Sequence, residues 1–164
     1  SAALEQHRAQ ERLPREMNVY LAFPGNCREA MAFYAELTAG HLEAMLTYGE
    51  TPAAAETPPE MHDRIVHASL NIRGGRLMGV DLAADSYQPP QGAQVHLDYD
   101  EPDQAERVFQ ALCDGGSVIM PFEETFFAHR FGLTTDRFGV QWMISCFANG
   151  CAVPQGETTS AGGG

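Results

Sequence analysis

Residues 123–146 read EETFFAHRFGLTTDRFGVQWMISC, and how they fold decides the architecture of the chain. Phe126 to Thr134 is rich in aromatic and β-branched residues. Asp136 to Gly139 carries turn chemistry, and Val140 to Cys146 alternates again. The stretch therefore predicts two strands joined by a tight turn. Phe126, Phe127, Phe131 and the only Trp of the chain, Trp142, gather here beside His129, Glu123 and Glu124. Rings at this density fit either a core hairpin or one wall of a pocket, and burying area is their commoner use.

Working outward, Ala93 to Tyr99 (AQVHLDY) predicts a strand with Gln94, His96 and Asp98 on one face and Val95, Leu97 and Tyr99 on the other. Asp100-Glu101-Pro102 opens a helix with acidic residues and a first-turn proline. Asp103 to Cys113 sets Ala105, Val108, Phe109 and Leu112 along one side, and Gly115-Gly116 stops it. Ser117 to Pro121 adds a strand before the hairpin. The order is strand, helix, three strands.

The same order is found nearer the N-terminus. Asn18 to Phe23 (NVYLAF) predicts a strand, and Asn26 with Glu29 forms an Asn-x-x-Glu helix start that predicts a capping box. The helix from Cys27 to Leu37 places Ala30, Met31, Phe33, Tyr34 and Leu37 near one face and closes before Gly40. His41 to Tyr48 and Ile65 to Ile72 read as strands. Gly74-Gly75 is the expected hairpin turn into Arg76 to Leu82. Two βαβββ modules follow, an α+β chain. The division is an N-terminal arm over 1–17, a first module over 18–82, a Pro-containing linker over 83–92, a second module over 93–146 and a small, polar tail over 147–164.

Composition excludes several functions. At 164 residues the chain is long enough to bury a sizeable core. Its formal net charge of −12 repels phosphate backbones and anionic lipid, so neither nucleic acid nor a membrane surface is an expected partner. All 10 basic residues are Arg, which removes Schiff-base chemistry and a P-loop lysine from consideration. Cys27, Cys113, Cys146 and Cys151 form no CxxC pair and read as reduced thiols of a cytoplasmic protein. There is no G-x-S-x-G nucleophile elbow and no G-x-G-x-x-G opening a helix after a strand.

The pieces E-T-F-F-A-H-R-F-G and T-D-R-F-G-V-Q-W-M-I, with F-P-G-N-C-R-E-A-M-A-F-Y, Y-G-E and I-V-H-A-S-L-N-I upstream, resemble PhnB-like proteins of the vicinal-oxygen-chelate superfamily, which includes glyoxalases, bleomycin-resistance proteins and dioxygenases. The likeness spans Asn18 to Cys146. It implies sheets that curl into a half-barrel cup with helices outside, and a homodimer. Labels carried by that family include a ubiquinone-pathway methyltransferase and a link to phosphonate genes, and neither chemistry has visible machinery in this sequence.

In metal-using members of the superfamily, His, Gln or Glu side chains on the first and last strands of each module hold a divalent ion. The resemblance carries those positions onto Val19, Met78 or its neighbours, Gln94 and Met143, of which only Gln94 suits a hard ion. No metal or other cofactor is expected on that ground. A relocated site of His67, His96 and Glu124 is the alternative, and for each histidine a hydrogen-bonded imidazole is the commoner state. His7 and His41 read as surface, and His62 and His67 as residues of different faces.

Two functions stay open. One is a small-molecule binder whose aromatic cup (Phe126, Phe131, Trp142) clasps a flat or apolar ligand, with Tyr20, His67, His96 and His129 near it as polar anchors. The other is a divalent-metal-dependent lyase, isomerase or dioxygenase.

Overall fold

The structure, a computed structural model, describes residues 1–125 and 130–147. It divides into two compact units, Ser1–Tyr87 and Gln88–Gly164. Phe126, Phe127 and His129 lie outside the described residues, as does the tail beyond Phe147.

The first unit begins with helix α1 (Ala2–Glu11), which buries no residue. Strand β1 (Val19–Phe23), helix α2 (Cys27–Thr38) and strands β2 (His41–Thr47), β3 (Ile65–Ile72) and β4 (Gly75–Asp81) follow. The sheet order is β1-β4-β3-β2, so β1 pairs in parallel with β4 and the other pairs are antiparallel. The second unit repeats the plan with β5 (Val95–Asp98), α3 (Pro102–Cys113), β6 (Ser117–Glu123), β7 (Arg130–Thr135) and β8 (Gln141–Cys146), in the order β5-β8-β7-β6. The chain is thus α+β, with two four-stranded mixed sheets.

Each sheet packs one face on its own helix. In the first unit a Cβ on Gly79 would lie 2.8 Å from Cys27 Sγ and 3.3 Å from Met31, so this register row faces α2. Its partners Leu21 and Ala68 point the same way, and alternation adds Phe23, Leu70 and Leu77. These meet Cys27, Ala30, Met31 and Tyr34 of α2, all fully buried. In the second unit Gly132 lies under the Phe109 ring, 2.7 Å from where a Cβ would sit. Its partner Ile144 therefore faces α3, with Trp142 and Cys146 two residues to either side. Ala105, Val108, Phe109 and Leu112 complete that core as the helical spacing predicts.

A buried aspartate fastens each unit. Asp81, at the end of β4, accepts from Cys27 N at 3.0 Å through Oδ1 and from Ile65 N at 2.8 Å through Oδ2. Its own backbone carbonyl receives the Tyr48 hydroxyl at 2.7 Å. In the second unit Asp136 Oδ1 accepts from Phe138 N and Val140 N, and Oδ2 from Trp142 Nε1, each at 2.9 Å. That carboxylate fixes the β7–β8 turn and the indole together.

Two local expectations are corrected. Asn26 precedes α2 but makes no side-chain cap, and its Oδ1 is buried without a partner. Asp81 reaches across from β4 to take the Cys27 amide instead. The reciprocal capping box is at Thr47 and Glu50, where β2 leaves the sheet. The β3–β4 turn is Arg73-Gly74, not Gly74-Gly75. Both residues are left-handed, at φ 51° and 86°, as a two-residue hairpin turn with matched twist requires. Between β2 and β3 the chain makes three short 3-10 turns, Tyr48–Glu50, Pro52–Glu56 and Pro59–Met61. His62 Nε2 lies 3.1 Å from Ala54 O and 3.0 Å from Thr57 O, which pins that stretch in place.

Candidate ligand-binding faces

Once α2 and α3 occupy one face of each sheet, the opposite faces carry the side chains the cores do not use. In the first unit alternation puts Tyr20, Ala22, Met78, Val80, His67 and Ser69 on the helix-free face. Tyr20 pairs in register with Met78 and is 57% exposed. His67 is half-buried, with Leu46 as its register partner on β2. Near the strand ends Glu43 accepts from Asn71 Nδ2 at 3.2 Å and from Arg76 Nε at 2.8 Å, and Arg76 also meets Glu16 at 3.0 Å. Hydrogen bonding to Arg76, then to Asn71, lowers the Glu43 carboxyl below the ordinary range.

In the second unit the helix-free face carries His96 and Asp98 from β5, Met143 and Ser145 from β8, and Phe131 and Leu133 from β7. His96 pairs in register with Met143, and Asp98 with Ser145. Ser145 is fully buried, and its Oγ donates to Asp98 Oδ1 at 3.0 Å. His96 Nε2 lies 2.6 Å from the same hydroxyl. Phe147 N donates to Asp98 Oδ1 at 3.0 Å, and the Phe147 ring stands edge-on to the imidazole at 5.8 Å. Gln94 continues the row, its Nε2 donating to Gln141 Oε1 at 3.2 Å.

The candidate residues from the sequence are therefore divided. Tyr20 and His67 share one helix-free face, and His96 and Phe131 share the other. Phe126 and His129 lie outside the described residues. Trp142 is a correction. It sits one residue out of phase with Met143 and Ser145, on the face against α3, with no surface exposed and its Nε1–H committed to Asp136. An aromatic ring so placed is core, and a ligand on the His96 side of the sheet does not touch it. Phe131 does face that side but is itself only 7% exposed. Val19 is also corrected, because it pairs with Leu77 and turns toward α2, leaving Tyr20 as the helix-free residue of that turn of strand.

The donors present do not fit a divalent ion held in the superfamily manner. Met78 and Met143 occupy the last-strand positions, and thioethers are poor ligands for hard cations. Asp98 is committed to Ser145 and to the Phe147 amide. In the alternative set, His96 lies on edge strand β5 and Glu124 follows the end of β6, the opposite edge strand, with β8 and β7 between them in the sheet order. Among the described residues no three His, Cys, Asp or Glu side chains gather closely enough to hold a metal ion. No helix among them is long and apolar enough to cross a membrane.

The Ser145–Asp98–His96 cluster escaped sequence reasoning. The parity of the 93–99 strand was visible, but the parallel register that brings β8 beside it was not.

Comparison with known proteins places the chain. A family model described as 3-demethylubiquinone-9 3-methyltransferase matches residues 15–145. Protein YjdN of Escherichia coli K12 is 33% identical over 137 residues, covering 79% of this chain and 93% of YjdN. The crystal structure of protein PA1353 from Pseudomonas aeruginosa is 42% identical with a TM-score of 0.74, covering 81% of this chain and 98% of PA1353. The PhnB protein from Bacillus cereus superposes with a TM-score of 0.69 at 22% identity, covering 80% of this chain and 99% of its own. A glyoxalase family protein, also from Bacillus cereus, shares the fold alone, with a TM-score of 0.58 at 15% identity over 83% of this chain and 96% of its own. The chain therefore belongs to the PhnB-like family whose model is described as 3-demethylubiquinone-9 3-methyltransferase, built on the fold of the glyoxalase and bleomycin-resistance proteins.

Proposed function

We propose that the protein binds a small molecule against the helix-free face of a sheet, gripping it with side chains rather than through a metal bridge. The observation that supports this reading is a repeated pair. Each unit sets a polar ring on its first strand beside a methionine on its last, Tyr20 with Met78 and His96 with Met143. Neither ring serves its own helix-packed core. A ring edge bearing a polar atom next to a pliable thioether suits a ligand that is mostly apolar with a few oriented polar groups.

A fragment library read by thermal shift and calorimetry tests the proposal. Aromatic and apolar fragments are expected to raise the melting temperature of the wild type, and less so in Tyr20→Ala and His96→Ala. A flat response over the library, or equal binding by the variants, refutes it. Tight, stoichiometric binding of Ni, Zn, Mn or Fe(II) that is lost in His96→Ala would establish the metal-dependent alternative instead.

The methyltransferase label of the family finds no support in the architecture. A Rossmann-type site for a nucleoside methyl donor would place a Gly-rich loop after a strand, at the edge of a doubly wound sheet. The sheets of this chain are two separate four-stranded mixed sheets.

The same reading includes a homodimer of a cytoplasmic protein. Edge strand β6 offers a surface for a second copy, since Val118, Ile119 and Met120 are 52%, 48% and 43% exposed beside an edge that no other described strand pairs. Sedimentation of wild type and Ile119→Glu tests it, with a dimer expected to become a monomer.

A further inference from the structure

We infer that Asp98 and Ser145 are positioning residues that lock His96 with its proton on Nε2, so that Nδ1 is a fixed hydrogen-bond acceptor for a ligand carrying a neutral O–H or N–H donor on an apolar body. This rests on the small-molecule reading above.

A count of protons sets the tautomer. A serine hydroxyl has one, and a carboxylate can only accept. Ser145 Oγ stands between Asp98 Oδ1 at 3.0 Å and His96 Nε2 at 2.6 Å. If the hydroxyl pointed its proton at the imidazole, two oxygens with lone pairs only would face each other across 3.0 Å. Directed at the carboxylate, the proton makes a charge-assisted bond, and the 2.6 Å contact takes its proton from the ring. The carboxylate is held in place by a second donor, Phe147 N, on the same Oδ1. Ser145 itself has no rotational freedom to spare, being fully buried between the two. His96 thus has Nε2–H engaged, and no described protein group hydrogen-bonds Nδ1.

The surroundings narrow the ligand. His96 is exposed, with Met143 beside it in register and Leu133 next along the same row. An apolar body is accommodated there. A carboxylate would bring one negative charge toward Asp98 on a chain of net charge −12 and would offer Nδ1 no proton. A phenol or an enol satisfies both conditions. On accepting its proton, the ring would become an imidazolium whose charge is met through Ser145 by Asp98.

Imidazole nitrogen–proton correlation spectra on uniformly labelled protein test this directly. They are recorded at a pH where histidine is ordinarily neutral, with His96 assigned through His96→Gln. The wild type is expected to show the Nε2–H tautomer. Asp98→Ala, an exposed position, releases the Ser145 proton to turn toward the ring, so its His96 is expected to swing toward Nδ1–H. Ser145→Ala is expected to leave a mixture. An Nδ1–H tautomer in the wild type, or an unchanged tautomer in Asp98→Ala, overturns the proposal whatever the protein binds. Phenol, toluene and benzoate are then titrated into the wild type. Phenol is expected to shift the Nδ1 resonance and to bind about tenfold more weakly to His96→Gln, while toluene and benzoate leave Nδ1 unmoved. Phenol that binds without moving Nδ1 overturns the ligand class and leaves the small-molecule reading standing. A locked tautomer with no binding of phenol or of any library fragment defeats both.

Discussion

The two units lay the same backbone under different chemistry. Val-Tyr-Leu-Ala-Phe at 19–23 and Val-His-Leu-Asp at 95–98 are each the first strand of a module, paired in parallel with the last. Tyr20 faces Met78 as His96 faces Met143. One row further the units part: Ala22 faces Val80, whereas Asp98 faces Ser145. The first unit leaves its ring without polar support from that row. The second adds a hydroxyl and a carboxylate at the two positions from which the ring can be oriented. A duplicated fold has kept its geometry and concentrated its polar chemistry in one copy.

The largest expected effects come from the two aspartate fasteners. Asp136→Ala strands two amides and an indole N–H, and Asp81→Ala strands two amides. At about 1–3 kcal/mol for each buried donor left unmatched, Asp136→Ala should cost about 3 kcal/mol or more and Asp81→Ala somewhat less. Denaturant unfolding checks the order. A reversed order would mean that the first unit leans harder on its fastener than the hydrogen bonds indicate.

Next come the glycines beneath the helices. A methyl at Gly132 meets three atoms of the Phe109 ring at 2.7–3.1 Å, whereas one at Gly79 meets Cys27 Sγ at 2.8 Å and the pliable Met31 chain at 3.3 Å. Gly132→Ala should therefore cost about 1–3 kcal/mol and Gly79→Ala less. Equal losses in the same unfolding assay would show that the second helix can slide as readily as the first methionine can bend.

Alkali distinguishes the units more gently. Burial, then the nearby Asp81 carboxylate, pushes the Cys27 thiol up to about 12 from an ordinary 9.0. Between those values the unfolded chain loses the proton and the folded chain keeps it, so stability falls as pH rises. Cys27→Ala should flatten that decline by at most about 1.4 kcal/mol per pH unit. The same thiol should resist alkylation in the native protein, while the partly exposed Cys113 reacts.

The smallest effect on stability is also the sharpest comparison. Tyr20→His places an imidazole at the register of His96 but beside Ala22 and Val80. Its stability should be near wild type, and its ring should show mixed tautomers where His96 shows one. A single tautomer at residue 20 would mean that the strand backbone, not Ser145 and Asp98, selects the proton position.

Much of this was legible in the sequence because it is local. The order of elements, the buried face of α3 and the split of 93–99 into polar and apolar rows follow from periodicity alone. Most of what failed depended on partners distant in the chain, and Trp142 is the exception. Trp142 was grouped with Phe126 and Phe131 by ring chemistry. Strand parity, which sets Trp142 with Ile144 and Cys146 and apart from Met143 and Ser145, already argued for the core. The Asn26 cap gave way to Asp81, fifty-four residues beyond the Cys27 amide it binds, and no local pattern announces such a competitor. The tautomer lock needs Asp98 and Ser145 at one register, and a parallel pairing sets that register only once the whole module has closed.

The parallel seams have a bearing on how the polypeptide emerges during synthesis. Strand β1 leaves the ribosome long before β4, the strand it pairs with. Until Asp81 has appeared, β2 and β3 can already pair, but VYLAF waits unmatched. From that point the N-terminal half can shut without the remainder of the message, and the second half must then repeat the wait on its own.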